Sequence, residues 1–109
     1  ITSGSQGVNA AVIRGVLEVD PSQLTVLLPQ SLDRQAVEIR DLLERVLHLV
    51  EKPEQDELPL PIASSLCNQE IISRCDQLIC LAFHDSETLL ASARTAEDMG
   101  KVVSLLYFD

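Results

Sequence analysis

Residues 24–29, LTVLLP, decide the fold that the sequence predicts. The run is short, almost entirely apolar and partly β-branched, which is typical of a strand buried on both faces of a sheet. Short apolar segments recur along the chain, separated by helical patterns, at residues 47–50, 77–83 and 101–109. Strands and helices that alternate at this spacing predict right-handed βαβ crossovers and a parallel sheet with helices on both faces.

Four helices are predicted between these strands. The first spans Val8–Val19, with an apolar face formed by Val8, Ala11, Val12, Gly15, Val16 and Val19. Asp33 is the expected N-cap of the second, which continues to Val46. Ser64 or Ser65 is expected to cap the third, ending near Arg74 with Leu66, Ile71 and Ile72 inward. The fourth begins at Asp85-Ser86, where either side chain is expected to cap it, and ends at Gly100.

The predicted fold class is α/β: a three-layer Rossmann-like sandwich with a mostly parallel sheet of about four full strands. A chain of 109 residues is expected to form a single domain, over residues 1–109. Ile1-Thr2 then reads as the truncated end of an N-terminal strand, which predicts a longer natural chain. Residues 51–61, EKPEQDELPLP, read as an acidic loop that serves as a lid, a partner contact or a mobile segment.

Composition narrows the classes of partner and compartment. The net charge is −9, and the eight cationic side chains are dispersed, so the average field repels nucleic acid. The only aromatic residues are Phe83, Tyr107 and Phe108, which leaves little for stacking on bases. Three cysteines without a CxxC pair indicate reduced thiols. With no apolar run of membrane length and no signal peptide, the expected location is the cytoplasm, or an organelle interior if a targeting segment is removed.

Ligands of parallel sheets bind beyond the carboxyl ends of the strands, where loops lead into helices. The N-terminal turn has glycines that allow close backbone approach and polar side chains that donate hydrogen bonds at a positive helix end. The candidate binding residues of this turn are Ser3, Gly4, Ser5, Gln6 and Gly7. The alternative is a tight strand-to-helix turn that needs glycine without any ligand.

Other chemistry-bearing residues form no catalytic set. Asp33, Glu70 and Asp85 lie near the same edge, but no spacing pairs two of them, so solvated caps are expected. His84 lacks a partner that the sequence places, so it does not make an acid–base pair. Cys67 has two possible roles: a nucleophile at a helix start or, more simply, a small apolar residue of the core. No metal site and no cofactor are indicated.

Two stretches, read together, resemble the DNA-processing protein A (DprA/Smf) family. They are SGSQGVNAAVIRGVLEVDPSQLTVLLPQSLDR, residues 3–34, and NQEIISRCDQLICLAFHDSETLLASARTAEDMGKVVSLL, residues 68–106. The first is similar to the family's serine-glycine turn, helix, strand and Gly-Leu-Asp loop. The second is similar to its Asn-Arg-Ile-Ile segment, apolar strand, Ser-Gly-Ser-Leu helix start and closing strand. The first stretch also resembles the LOG and Moco-carrier-like proteins, but their consecutive glycines before Thr-Leu-x-Glu are absent.

The resemblance implies a Rossmann-like domain that binds single-stranded DNA and assists recombination by loading RecA. It adds Asn68 and Ser86 to the candidate binding residues, with Asp33 in the matching Leu-Asp loop. Two departures concern charge: Gln6 stands where the family has an arginine, and Cys67-Asn68-Gln69 stands where it has Arg-Asn-Arg. Asn9 replaces an aspartate, and the turn is one residue shorter.

Three hypotheses follow for the function. The first is a non-catalytic domain that binds a nucleotide or single-stranded DNA, with a weakened DNA site. The second is a subunit or adaptor that kept the fold and lost the pocket, acting in a homo-oligomer or with a protein partner. The third is nucleotide phosphoribohydrolase activity of the LOG type, which no pair of carboxylates here supports.

Overall fold

The computed structural model describes residues 1–109 and shows an α/β fold with small parallel sheets. In chain order the elements are β1 (Thr2–Ser3), α1 (Val8–Val19), β2 (Thr25–Leu27), α2 (Val37–Glu44), β3 (His48–Val50), α3 (Leu60–Arg74), β4 (Gln77–Ala82), α4 (Glu87–Asp98) and β5 (Val102–Tyr107). Short 3₁₀ turns lie at Pro21–Gln23, Leu32–Arg34 and Pro53–Gln55. The chain divides into two compact units, residues 1–67 and 68–109, which are described separately.

In the first unit, β1, β2 and β3 form a parallel sheet with β2 in the centre. Side chains of β2 are buried on both faces, as the LTVLLP run predicts. Leu24, Val26 and Leu28 join a core cluster with α1 and α2, while Leu27 is equally buried. The remaining members of that cluster are Ala10, Ile13, Ile39, Leu42, Leu43 and Val46.

Helix α1 has the predicted bounds but not the predicted buried face. Ala10 and Ile13 are buried and Leu17 packs against the core, a spacing of one helical face. Val16, a member of the predicted apolar face, also packs against the core, whereas Val8, Val12 and Val19 of that face are exposed. The prediction was wrong for these three valines because α1 carries two apolar stripes, and the larger side chains Ile13 and Leu17 occupy the core. Asp20 ends the helix, and the Ser22 hydroxyl and N–H donate to its carboxylate, lowering the pKa of Asp20.

Helix α3 begins at Leu60, earlier than predicted, within the segment expected to be a loop. Prolines are tolerated in the first helical turn, where the N–H has no intrahelical partner, so Pro61 does not prevent the helix. The amide of Ala63 donates to the carbonyl of Pro59 at 3.1 Å, which closes that first turn. Leu66, predicted inward, is exposed, whereas Ile71 and Ile72 are buried as predicted.

In the second unit, β4 and β5 form a parallel pair in register from Gln77↔Val102 to Ala82↔Tyr107. Helix α4 packs against both strands, and Cys80 and Ala82 are buried. Gly100 ends α4 as predicted: it has φ +78°, its amide donates to Glu97, and the next amide donates to Ala96. This pair of bonds is the Schellman motif. None of the helices in the protein is long and apolar enough to cross a bilayer.

Candidate functional site

The N-terminal turn joins β1 to α1, and both of its glycines are required by the fold. A Cβ on Gly4 would lie 2.4 Å from Cδ2 of Leu28 and 3.1 Å from Cδ2 of Leu43. Gly7, the N-cap of α1, has φ +82°, a conformation that other residues rarely adopt. Close packing therefore explains Gly4, and backbone conformation explains Gly7.

A small polar network holds the outer side of this turn. The Asn9 amide donates to the Ser5 hydroxyl at 2.6 Å, and the Ser5 and Ser3 hydroxyls lie 3.4 Å apart. The Thr2 hydroxyl donates to Oδ1, the side-chain oxygen of Asn9. The structure thus brings Ser3 and Ser5 together, as predicted for one loop, and adds Asn9, which the sequence marked only as a departure from the family pattern.

The N-terminus of α1 behind the turn receives no side-chain cap. No side chain accepts a hydrogen bond there, and the first helical turn holds no acidic residue. The first backbone N–H groups of a helix have no intrahelical acceptor and carry partial positive charge. Ser5 and Gln6 are exposed beside them. The arrangement is therefore chemically suited to an anion with several acceptor oxygens.

Asp33 does not cap a helix, which corrects the prediction. It lies within the 3₁₀ turn Leu32–Arg34, and the N-cap of α2 is Ala36, whose side chain has no oxygen to accept a bond. The chain passes through an extended Gln35 between the two elements, so the helix begins later than Asp33. The backbone carbonyl of Asp33 instead accepts from the Arg40 guanidinium at 2.6 Å.

Asn68 and Ser86 also differ from expectation. Because α3 begins at Leu60, Asn68 lies inside that helix rather than near its start, and its amide donates to the Ser92 hydroxyl at 3.4 Å. Ser86 is the N-cap residue of α4 but makes no side-chain cap bond. Its hydroxyl accepts from the Phe83 N–H at 3.0 Å, which folds the preceding turn instead. Asn68 therefore contacts α4 at Ser92, not at Ser86.

Residues 51–59 are bound to the loop after β2 by partly buried hydrogen bonds. Gln30 is only 6% exposed, and its amide donates to the carbonyls of Gln55, Asp56 and Leu58 at 3.1, 3.4 and 3.0 Å. The Asp56 carboxylate accepts from the hydroxyl and the N–H of Ser31 at 2.6 and 2.8 Å. These bonds give the acidic segment a defined conformation.

We expect Asp56→Asn to reduce the loss of stability in acid. The Ser31 hydroxyl, and secondly its N–H, hold the pKa of Asp56 below its usual value. Its folded pKa is thus below an unfolded value of about 3.9, so its stabilising effect is full above that pH and disappears as pH falls through the folded pKa. Denaturant midpoints measured from about pH 6 to about pH 2 test this. Parallel profiles for Asp56→Asn and the unaltered protein would contradict it.

Cys67 is a core residue, in agreement with the simpler of its two interpretations. Its side chain is buried, and the thiol donates to the carbonyl of Leu27 at 3.4 Å. Cys80 is buried as well, and burial raises the pKa of its thiol. A raised pKa keeps a thiol protonated and unreactive. The structure therefore supports packing roles for both cysteines.

A second polar group lies at the carboxyl ends of β4 and β5, and the sequence did not reveal it. The Asp109 carboxylate accepts from Nδ1 of His84 at 2.6 Å and from the His84 N–H at 3.1 and 3.2 Å. The hydrogen bond from the imidazole lowers the pKa of Asp109. The His84 ring stacks on Tyr107, with centroids 3.7 Å apart and planes 4° apart. His84 thus has the partner that sequence reasoning missed, 25 residues along the chain.

Comparison with known proteins finds no matching family model, no matching curated protein and no matching solved structure. The functional assignment therefore rests on the geometry of the chain itself and on the sequence resemblance.

Proposed function

We propose that this chain is a non-catalytic nucleotide- or single-stranded-DNA-binding domain of the DprA-like type. Its phosphate site is the turn of residues 3–7 together with the first N–H groups of α1. The observation that carries the proposal is the uncapped N-terminus of a twelve-residue helix, with the Ser3 and Ser5 hydroxyls clustered beside it and no acidic residue in its first turn. A phosphate has the acceptor oxygens and the charge that this group of donors satisfies.

The proposal includes the three-layer Rossmann-like sandwich that the family resemblance implies. It is supported by the parallel pairing of every strand pair in both sheets. Consecutive strands are also joined through helices throughout, from β1–α1–β2 to β4–α4–β5. Parallel strands require such crossovers, and helix-linked parallel strands are the units of doubly wound folds.

Charge sets the expected strength of binding. The proposed site contains hydroxyls and backbone N–H groups but no cation, and the chain carries a net charge of −9. Phosphate contacts by lysine or arginine supply much of the affinity of proteins for nucleic acid. Binding of an oligonucleotide is therefore expected to be weak and best detected at low salt.

We expect Gln6→Arg to raise the affinity for a labelled dT oligomer by about tenfold at low salt, because it adds a cation beside the turn. Fluorescence anisotropy measures the change. The matched control is Gln23→Arg, which alters the net charge equally but lies before β2, whereas the turn follows β1 in a parallel sheet. An equal gain for both variants, or none for Gln6→Arg, would count against the site. If the unaltered chain does not bind the dT oligomer at tens of micromolar protein, DNA is not the ligand.

A second candidate function, as a subunit or adaptor, is favoured by one face of the β4–β5 sheet. The side chains on that face are Gln77, Ile79, Leu81, Val102, Ser104 and Leu106, none of them charged. Ile79, Val102 and Leu106 are each more than half exposed. Apolar strands of parallel sheets are normally covered on both faces. Light scattering tests the homo-oligomer: a mass above the 12.0 kDa of one chain, reduced by Ile79→Arg, supports it, and a monomer opposes it.

A further inference from the structure

All the aromatic side chains of this protein lie at the carboxyl end of one two-stranded sheet, in two ring pairs. The sequence contains one tyrosine, two phenylalanines and no tryptophan. Phe83 and Phe108 pack with centroids 5.3 Å apart, and Tyr107 stacks on His84. We call Phe83, His84, Tyr107 and Phe108 the ring cluster. It lies at the carboxyl ends of β4 and β5, where Tyr107 is the last residue of β5 and the other three residues come directly after a strand. This is the edge at which parallel sheets bind ligands.

The ring cluster is exposed, although aromatic side chains bury large apolar areas and usually contribute strongly to the stability of a core. Phe83, Tyr107 and Phe108 are 50, 43 and 55% exposed, and the His84 side chain is 63% exposed. One face of the imidazole is covered by Tyr107, and the high exposure leaves the other face open to solvent. The cluster therefore presents aromatic ring surface that the fold does not use.

Hydrogen bonds hold the cluster in a fixed orientation. The Phe108 N–H donates to the Ala82 carbonyl at 2.9 Å, which continues the β4–β5 pairing beyond Tyr107. Asp109 binds both Nδ1 and the backbone N–H of His84. With Nδ1 engaged, Nε2 is the imidazole nitrogen available to a ligand. A pre-oriented ring with one polar atom at its edge loses little entropy on binding.

We propose that the ring cluster is a stacking site for a nucleobase, with the base on the open face of His84 and a polar atom of the ligand bonded to Nε2. Aromatic platforms of this kind bind bases with little sequence preference, since every base has a π-face. This site shares no residue with the phosphate-binding turn, and the proposal does not depend on that turn.

The chemistry of the cluster favours an uncharged base over two other ligands. Asp109 and the exposed Asp85 lie in or next to it, so a phosphate group would meet negative charge. Quaternary ammonium ions are bound by aromatic cages that surround the cation. Here the proposed ligand contacts the His84–Tyr107 pair, whose rings are stacked with planes parallel to within 4°, so this pair presents a single ring face and not walls around a cation.

Proton NMR of the two histidines tests the proposal with an internal control. Adenosine, which has no phosphate, is titrated against the whole chain while the ring protons of His84 and His48 are followed. His48 is exposed on β3 and lies outside the cluster. We expect saturable upfield shifts of the His84 protons alone, because a stacked base adds its ring current. Equal shifts at both histidines, none at His84, or a response to tetramethylammonium instead of adenosine would overturn the proposal.

Variants of Tyr107 provide the second measurement. Tyr107→Phe keeps the ring beneath His84, and we expect adenosine to bind it as it binds the unaltered chain. Tyr107→Leu removes that support, and we expect affinity to fall about tenfold. Unchanged chemical shifts elsewhere in the spectrum establish that each variant is folded. Equal affinity of both variants would contradict a stacking role. Adenosine lacks phosphate, so absence of adenosine binding would contradict the stacking site without bearing on the phosphate site. Inorganic phosphate has no base, so absence of phosphate binding would contradict the phosphate site without bearing on the stacking site.

Discussion

Replacing Gly4 with alanine is expected to lower the free energy of unfolding by about 1–3 kcal/mol, the usual cost of overpacking a core. The added Cβ would lie 2.4 Å from Cδ2 of Leu28, much closer than a van der Waals contact. Leu28 and Leu43, the two side chains that would have to move, are both 0% exposed. Neither has solvent to move into, so the clash must be relieved by displacing the turn or the core. Urea denaturation measures the change.

Two further variants establish that the clash is the cause. Gly15→Ala places a Cβ in the middle of α1 where, apart from its chain neighbours and the nearby backbone of the same helix, no atom lies within 4 Å. It is expected to stabilise the protein by about 0.5–1 kcal/mol. Leu28→Val removes a methylene at the point of the clash. The Gly4→Ala/Leu28→Val double variant should therefore lose less unfolding free energy than the sum of the losses of the two single variants. Additive single changes, or a stabilising Gly4→Ala, would contradict this account of the turn.

Replacing Gln30 with methionine is expected to lower the free energy of unfolding by roughly 2 kcal/mol, since it removes a donor from three partly buried carbonyls. Of these, only the Gln55 carbonyl keeps another bond, from the Leu58 N–H at 3.0 Å. The shape of the side chain is nearly kept, but the carbonyls of Gln55, Asp56 and Leu58 lose the amide that binds them. The conformation of residues 51–59 depends on these bonds. We therefore also expect Gln30→Met to accelerate amide hydrogen exchange in residues 51–59 more than in α1.

Gln35→Met is the matched control for this prediction. Gln35 makes one side-chain bond, to the Ser31 carbonyl at 3.3 Å, and is less buried than Gln30. Its replacement is expected to cost at most about 1 kcal/mol. If both variants lose the same stability, or if hydrogen exchange in residues 51–59 does not change with Gln30→Met, the polar anchor is not what holds this segment.

The elements were predictable where a local rule is strong. The α1 bounds follow from a glycine before the helix and Asp20-Pro21 after it, and Gly100 ends α4 because a left-handed residue is needed there. The apolar run around β2 gave its burial correctly. In each case neighbours in sequence determine the conformation, so the pattern is sufficient.

The sequence did not predict features in which two local rules compete or which depend on tertiary neighbours. Asp33 and Ser86 have the composition of helix caps, yet each lies in a turn that uses a different hydrogen bond. The sequence pattern did not predict that α3 begins at Leu60, because prolines usually interrupt helices. The first turn of a helix nevertheless accepts proline. His84 and Asp109 are brought together only by the pairing of β4 with β5.

The candidate site also combines features that local rules explain with features that need the fold. The glycines at residues 4 and 7 are explained by packing and by backbone conformation, so they alone do not indicate a ligand. What supports a phosphate is the combination of an uncapped helix with clustered hydroxyls. The sequence indicates the turn, whereas the bond by which Asn9 positions Ser5 is seen only in the fold.

The central claim, that the turn of residues 3–7 binds phosphate, is tested most directly by NMR of the backbone amides at low salt. Thymidine 5′-monophosphate, inorganic phosphate and thymidine are each titrated against the labelled chain. We predict saturable shifts of the amides of residues 5–10 with both phosphate-bearing ligands, and none there with thymidine. Amides of residues 5–10 that remain unchanged at millimolar phosphate and nucleotide would contradict the claim.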